Sequence, residues 1–271
     1  MTKELSSRLL VSIIGIPFLI WVFYSGGIIL RTGLGLLTAL GMWEYRKILF
    51  KDKSFWVFVD IILAVCVYLS TSLFIKKMCP TCLIPNWVYI SFFFALQTIA
   101  WLARKTVDHT LKDYFLTIWG LFYIAVLTGL IFRIDSGYHD GHLLLLLVIL
   151  IWITDSAAYF IGMRFGKHRG IFPMSPKKSM EGFLAGLVAP FFVVFIIYAF
   201  YPKWSMQNLI IAAICAGLFG QLGDLLESKL KRIGCVKDSS DIIPGHGGIL
   251  DRFDSLLVAG PVMYCLLTFI S

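Results

Sequence analysis

Apolar stretches long enough to cross a lipid bilayer recur from one end of this 271-residue chain to the other. A spanning helix needs about 20 mostly apolar residues. Runs of that order fall at roughly 9–24, 26–42, 56–75, 86–103, 114–132, 143–163, 182–201, 207–228 and 249–270. The second is the least regular, being rich in glycine and interrupted by Arg31. No internal repeat or low-complexity linker divides the series. Composition agrees with the pattern: 59% of residues are hydrophobic and 15% are charged, where soluble domains carry about 25% charged residues. The expectation is an all-α, polytopic integral membrane protein of about nine transmembrane helices. It is read as a single membrane domain over 1–271, with N-terminal helices in 1–142 and the chemistry-bearing helices and loops in 143–271.

The net charge of +8 arises from 24 Lys and Arg against 16 Asp and Glu. With a cytoplasmic N-terminus, 19 of the 24 cations fall in cytoplasmic segments, leaving Arg31, Lys76, Lys77, Arg133 and Lys203 outside. This asymmetry follows the positive-inside rule for nine spans, N-terminus in and C-terminus out. Two long loops, about 164–181 and 229–248, are the richest in cations and fall on the cytoplasmic side. Each is read either as a solvated positive-inside loop or as a binding surface for an anion. Nucleic acid is a poor candidate, because no basic aromatic module stands outside the apolar runs. The run after Lys3 and Arg8 lacks a small-residue cleavage site and is read as the first membrane helix, not a signal peptide. Cys66, Cys215 and Cys265 lie in apolar runs and read as small core residues. Cys79 and Cys82 form a lone C-x-x-C without a second pair or a redox context.

Acids inside membrane helices cost about 2.5–3.5 kcal/mol each on insertion scales, so they persist when paired, metal-bound or wet. Asp155, Asp224, Glu227, Asp251 and Asp254 occupy the cytoplasmic ends of the sixth, eighth and ninth runs. Asp224, Glu227, Ser228 and Lys231 are spaced i, i+3, i+4 and i+7, which puts them on one helical stripe. A purely structural reading pairs these acids with Lys229, Arg232 or Arg252. A chemical reading gives them a hard cation such as Mg²⁺, which takes oxygen ligands and bridges phosphates. No His/Cys cluster has zinc-ligand spacing. Gly245, Gly247 and Gly248 lead into the start of the last helix, whose free N–H groups are expected to cradle a phosphate. No Ser-His-Asp or Cys-His arrangement is visible. Phosphoryl chemistry on an already anionic nucleophile needs none, because positioning and charge neutralisation suffice.

Ser228-Lys229-Leu230-Lys231-Arg232, Lys237-Asp238 and Pro244-Gly245-His246-Gly247-Gly248-Ile249-Leu250-Asp251-Arg252-Phe253-Asp254 together resemble the signature of phosphatidate cytidylyltransferases, the CDP-diacylglycerol synthases. Asp155 to Gly162, Gly166-Lys167-His168 and Ser175 to Gly182 resemble that family's other recurrent block, so the likeness covers roughly 152–260. It implies that CTP and phosphatidic acid give CDP-diacylglycerol and pyrophosphate, with Mg²⁺ and room for a second cation such as K⁺. A homodimer in the plasma (inner) membrane, with a polar cavity facing the cytosol and opening laterally to lipid, is implied as well. Asp224 and Asp251 are matched to the metal centre, with Asp155, Glu227 and Asp254 as further acids beside it. By the same likeness Lys231, Arg232, Lys237, His246 and Arg252 are catalytic. Lys167, Lys177, Lys178, Ser179, Glu181, Gly247 and Gly248 bind substrate, although Ser179 also suits the N-cap of the following helix. Two other readings stand beside this one. A CTP-dependent lipid kinase of the dolichol type would transfer the γ-phosphate to an alcohol, and a cation transporter would use the acids as a path.

Overall fold

The computed structural model of the chain describes residues 3–50, 55–73, 86–103, 111–137, 142–243, 245 and 247–270. Cys79, Cys82 and His246, and the loop cations Lys51, Lys53, Lys76, Lys77, Arg104 and Lys105, lie outside the described residues. The described residues are helical with no strands, only isolated bridges. Two compact units are present, one comprising 1–137 with 238–250, the other 138–237 with 251–271.

The first unit contains α1 (Lys3–Ser25), α2 (Gly27–Phe50), α3 (Phe55–Leu73), α4 (Asn86–Leu102), α5 (Leu111–Gly120), a π-helical stretch (Leu121–Val126) and α6 (Leu127–Gly137). The π stretch joins α5 and α6 into one continuous rod. A π turn frees backbone carbonyls from the regular ladder, and the Thr128 hydroxyl takes up two of them, Ile124 O at 2.7 Å and Ala125 O at 3.1 Å. The second apolar run is an unbroken helix that extends beyond its expected end at 42. Its continuation carries Glu44, Tyr45 and Arg46, all buried. Tyr45 donates its hydroxyl to Leu116 O at 2.7 Å. Arg46 Nε lies 3.3 Å from Asp60 Oδ2 on α3, with both side chains essentially inaccessible. Its guanidinium also donates to Thr117 Oγ1 at 3.3 Å and lies over the Phe50 ring. Asp60 Oδ1 accepts from Gln97 Nε2 of α4 at 2.8 Å. One buried ionic cluster therefore ties α2, α3, α4 and α5 together.

The second unit contains α7 (Leu143–Phe165), α8 (Met180–Phe200), α9 (Met206–Ile214), a second π stretch (Cys215–Gly220), α10 (Gln221–Ile233) and α11 (Leu250–Ile270), whose first residue groups with the other unit. α9, the π stretch and α10 form one rod. The Gln221 side chain takes the freed carbonyl of Gly217 at 2.6 Å and reaches Phe183 O of α8 at 3.1 Å. The widened turn is thus fixed by an amide that also bolts it to the neighbouring helix.

Among the described residues, six helices are long and apolar enough to cross a membrane: Phe55–Ser72, Leu111–Ser136, Leu143–Phe165, Met180–Phe200, Met206–Ile233 and Leu250–Ile270. Much of their exposed surface is apolar. Leu184, Val188, Phe192, Phe195 and Ile196 of α8 are all exposed. Leaving such side chains in water forfeits about 1.5–3 kcal/mol each, whereas hydrocarbon accepts them without cost. The chain is an integral membrane protein.

Removing one member of a buried ion pair leaves the other uncompensated, at a cost of about 3–5 kcal/mol. Asp60→Ala is therefore expected to destabilise the detergent-solubilised protein by about 3 kcal/mol or more, read as a lowered thermal midpoint. An unchanged midpoint would mean that Arg46 finds water on losing its partner.

Candidate active site

The loop between α7 and α8 carries most of the first basic block, and it is folded against both helices. Arg169 donates to the carbonyls of Gly162 at 3.2 Å and Gly166 at 3.3 Å, satisfying the C-terminal end of α7. Gly170 N–H donates to Pro176 O, and Met180 N–H to His168 O at 3.0 Å. Ser179, extended at φ −106°, ψ 155°, accepts from Gly182 N–H at 3.2 Å. Ser179 is therefore the N-cap of α8. Glu181, in the first turn, accepts from His168 N–H at 3.2 Å and meets His168 Nδ1 at 2.6 Å. Glu181 and Ser179 thus pin the loop at its return. Lys167 and Lys177 stand exposed on this fixed backbone, while Lys178 turns inward.

Lys178 forms an ion pair with Asp224 of α10. Beside this pair lies a cavity of about 500 Å³, lined by Asp155, Tyr159 and Met163 of α7, by Arg169, Lys177, Lys178 and Phe183, and by Asp224. Carboxylates, ammonium groups and apolar side chains share its wall. The stripe expected on α10 is present. Ser228 Oγ donates to Asp224 Oδ1 at 3.3 Å, and Lys231 Nζ lies 2.6 Å from Glu227 Oε2. The same ammonium lies 2.6 Å from Asp251 Oδ1 in the first turn of α11. Asp254, one turn further along α11, is buried, and its Oδ1 accepts from Ser255 N–H.

The close fit of α10 and α11 has a local cause. A Cβ on Gly223 would sit 2.5 Å from Asp254 O and 3.0 Å from Ser255 Cα. Only glycine lets the helices approach there. The ends of α7, α8, α10 and α11 therefore gather Asp155, Lys177, Lys178, Asp224, Glu227, Lys231, Asp251 and Asp254. Lys178 and Lys231 form ion pairs with three of these acids, Asp224, Glu227 and Asp251. Of the partners expected from a purely structural reading, Lys229 is exposed and Arg232 donates instead to Val236 O at 3.4 Å. Arg232, Lys237 and Arg252 are exposed.

Gly245, Gly247 and Gly248 belong to the first unit. Gly245 and Gly247 have φ of +75° and +82°, a left-handed conformation natural to glycine. Ile243 N–H closes their turn on Gly247 O at 3.0 Å. Two of the N–H groups expected to be free around the start of the last helix are taken within the chain. Ile249 N–H donates to Glu44 Oε1 at 2.9 Å and Leu250 N–H to Glu44 Oε2 at 2.8 Å. A carboxylate of the chain itself meets these two N–H groups, because a helix start favours any negative charge brought close to it. Gly248 is buried against the same carboxylate. Glu44 escaped notice in the sequence because it follows an apolar run and adjoins Arg46 and Lys47, where it reads as part of a charged boundary.

The donor set suits a hard cation. The gathered side chains offer carboxylate oxygens, and among the described residues no group of three or more His, Cys, Asp or Glu converges on a point. Mg²⁺ takes one or two carboxylates and completes its shell with water and phosphate, so the carboxylates of Asp224 and Asp251 are the right kind of donor for it. The ammonium groups of Lys178 and Lys231 balance those carboxylates.

Apolar helices with acids and lysines gathered at their ends define a membrane protein with a polar, charged site. The chain belongs to the cytidylyltransferase family, whose model matches residues 6–270. It is similar to proteins named phosphatidate cytidylyltransferase. The Bacillus subtilis protein is 47% identical over 125 residues, covering 45% of this chain and 46% of that one. The Staphylococcus haemolyticus protein is 44% identical over 131 residues (47% and 50%). The Staphylococcus saprophyticus protein is 40% identical over 140 residues (51% and 54%). The chain spans about half the length of the curated relatives it matches.

A methyl group at 223 must push α10 and α11 apart, and overpacking of this kind costs about 1–3 kcal/mol. Gly223→Ala is expected to lower the thermal midpoint accordingly, and Gly223→Val more so. Equal stability of all three proteins would show that the helices separate freely.

Proposed function

We propose that the protein is a phosphatidate cytidylyltransferase, joining CTP to phosphatidic acid to form CDP-diacylglycerol and release pyrophosphate. The observation that carries this reading is the cavity shared by Asp155, Asp224, Lys177 and Lys178, set among apolar residues of α7 and α8. Such a wall suits a substrate with an anionic head and a hydrocarbon body. Family membership and the relatives' names support the same reaction.

In this reaction a phosphatidate oxygen attacks the α-phosphorus of CTP, and the bond to the β-phosphate oxygen breaks. The nucleophile is already anionic, so the protein's contribution is positioning and charge neutralisation. Lys177 and Lys178 hold the lipid phosphate beside the cavity. Lys231 sits between Glu227 and Asp251 and is held ready for the charge that develops on the leaving pyrophosphate. The exposed cations Arg232, Lys237 and Arg252, with His246, add to the field that attracts a triphosphate. Asp224 and Asp251 would hold Mg²⁺, with Asp155, Glu227 and Asp254 close in support and K⁺ as a second cation. The metal, when bound, supplies neutralisation of phosphate charge.

Nine spans, a cytoplasmic N-terminus and site, and an outer C-terminus accord with the distribution of Lys and Arg. The chain acts as one membrane domain in the plasma membrane, as a homodimer.

Purified protein in mixed micelles with Mg²⁺ and phosphatidic acid is given CTP labelled at either the α- or the γ-phosphate, then extracted with organic solvent. Lipid-soluble α-label without γ-label is the expected outcome. Lipid-soluble γ-label would instead identify a CTP-dependent kinase, and ion flux without CTP consumption a transporter. Asp224→Asn is expected to lower α-label transfer by at least about 100-fold while the protein inserts and elutes as wild type. Full activity in that variant would remove Asp224 from the site.

A further inference from the structure

We infer that Glu44 is a positioning residue for the reaction, fixing the glycine-rich loop and the start of the helix that carries Asp251 and Asp254. This inference rests on the reading of those acids under the proposed function. Glu44 lies on α2, far in sequence from every residue of the signature, and its side chain is fully buried. Two hydroxyls and two backbone N–H groups among the described residues donate to its oxygens. Oε1 accepts from Ile249 N–H at 2.9 Å and from the Ser240 hydroxyl. Oε2 accepts from Leu250 N–H at 2.8 Å and from the Ser239 hydroxyl at 3.2 Å. Ser239 and Ser240 are themselves buried. Ser239, Ser240, Ile249 and Leu250 bracket the Pro-Gly-His-Gly-Gly segment on both sides. One carboxylate therefore gathers both ends of the loop.

The chemistry of the contact explains its strength. The first N–H groups of a helix have no partner within it, and the helix dipole favours a negative charge there. Hydrogen bonds to an ionised acceptor are stronger than neutral ones. The base of Glu44 is equally constrained. Arg46 is two residues on, about 200° around the helix at 100° per residue, and it is bound to Asp60 on the opposite side. α2 is thus held from behind while Glu44 holds the loop in front. Gly248 packs against the carboxylate so closely that a Cβ there would lie 2.7 Å from Glu44 Oε1. Asp251 is the residue after Leu250 in the same helix, so the backbone that carries its carboxylate continues directly from a residue held by Glu44. Glu44 touches neither substrate nor metal in this role.

The test compares full-length wild type, Glu44→Gln, and the double variant Ser239→Ala, Ser240→Ala in one detergent. Amide hydrogen exchange is followed by peptide, together with steady-state turnover of CTP and phosphatidic acid. The Gln amide presents an NH₂ to two donors, so one side of the clasp is lost with little change in shape. Exchange in peptides containing Ile249 and Leu250 is expected to rise at least about tenfold, with peptides of α7 and α8 unchanged. The kcat is expected to fall at least about tenfold with the KM for phosphatidic acid unchanged, since positioning acts on the transition state more than on lipid binding. A folded Glu44→Gln protein with wild-type exchange and kcat overturns the inference. So does a rise in exchange spread evenly over the chain, which marks general destabilisation. If Glu44→Gln fails to fold, the double serine variant decides by the same readouts. It keeps the carboxylate and both N–H bonds, so a smaller rise confined to the same peptides is expected. If wild type itself transfers no cytidylyl group, the proposed function fails separately, and exchange at Ile249 and Leu250 still decides whether Glu44 fixes the helix start.

Discussion

A charge carried on a helix among apolar neighbours must find a partner or reach water, and the polar architecture of both units follows from that requirement. In the first unit Arg46 is matched by Asp60, and Glu44 by two hydroxyls and two backbone N–H groups. In the second, Lys178 is matched by Asp224, and Lys231 by Glu227 and Asp251. Each arrangement satisfies a charge with a group from another part of the chain. The same contacts that make these residues tolerable therefore also fix which helices are neighbours.

The two clusters differ in what surrounds them. Arg46 and Asp60 are buried among the described residues, with Thr117, Gln97 and Phe50 around them. Lys178 and Asp224 border a cavity, and each keeps about 30% of its side chain exposed. An ion pair with one side open can exchange its partner for an incoming anion or cation. This contrast separates a structural ionic cluster from one suited to chemistry, and it rests on access more than on residue type.

The apolar runs were legible because each is a local property of consecutive residues, and helices occupy most of them with ends shifted by a few positions. The stripe Asp224, Glu227, Ser228, Lys231 was legible for the same reason, since helical spacing alone puts it on one face. The partners were not. That Lys178 would meet Asp224, or Lys231 reach Asp251, depends on how separate helices pack, and no short-range pattern encodes it. Ser179 could be read as a cap from its place before a helix, whereas the pairing of Glu181 with His168 needed the fold of the loop between them. Glu44 lay deepest, because its partners are some two hundred positions away and an acid beside Arg46 and Lys47 looks like an ordinary charged margin. The carboxylate at the helix start was hidden by the same gap. The helix start attracts an anion, and Glu44 supplies one from within the chain.

The rod from Met206 to Ile233 is helical throughout, yet its two halves do not share one angular phase. The π stretch Cys215–Gly220 amounts to a residue inserted into a regular α-helix, which turns everything beyond it by about 100°. Leu209, Ala212 and Ala213 are buried before the insertion, and Asp224, Glu227 and Lys231 follow it. A helical wheel drawn straight through the rod would aim the acids in the wrong direction. The single Gln221 amide that holds Gly217 O thus works as an angular offset. A drift of sequence that let this turn relax to regular α-helix would leave the rod's length and greasiness almost unaltered and swing the entire acidic stripe a quarter-turn off its lysine.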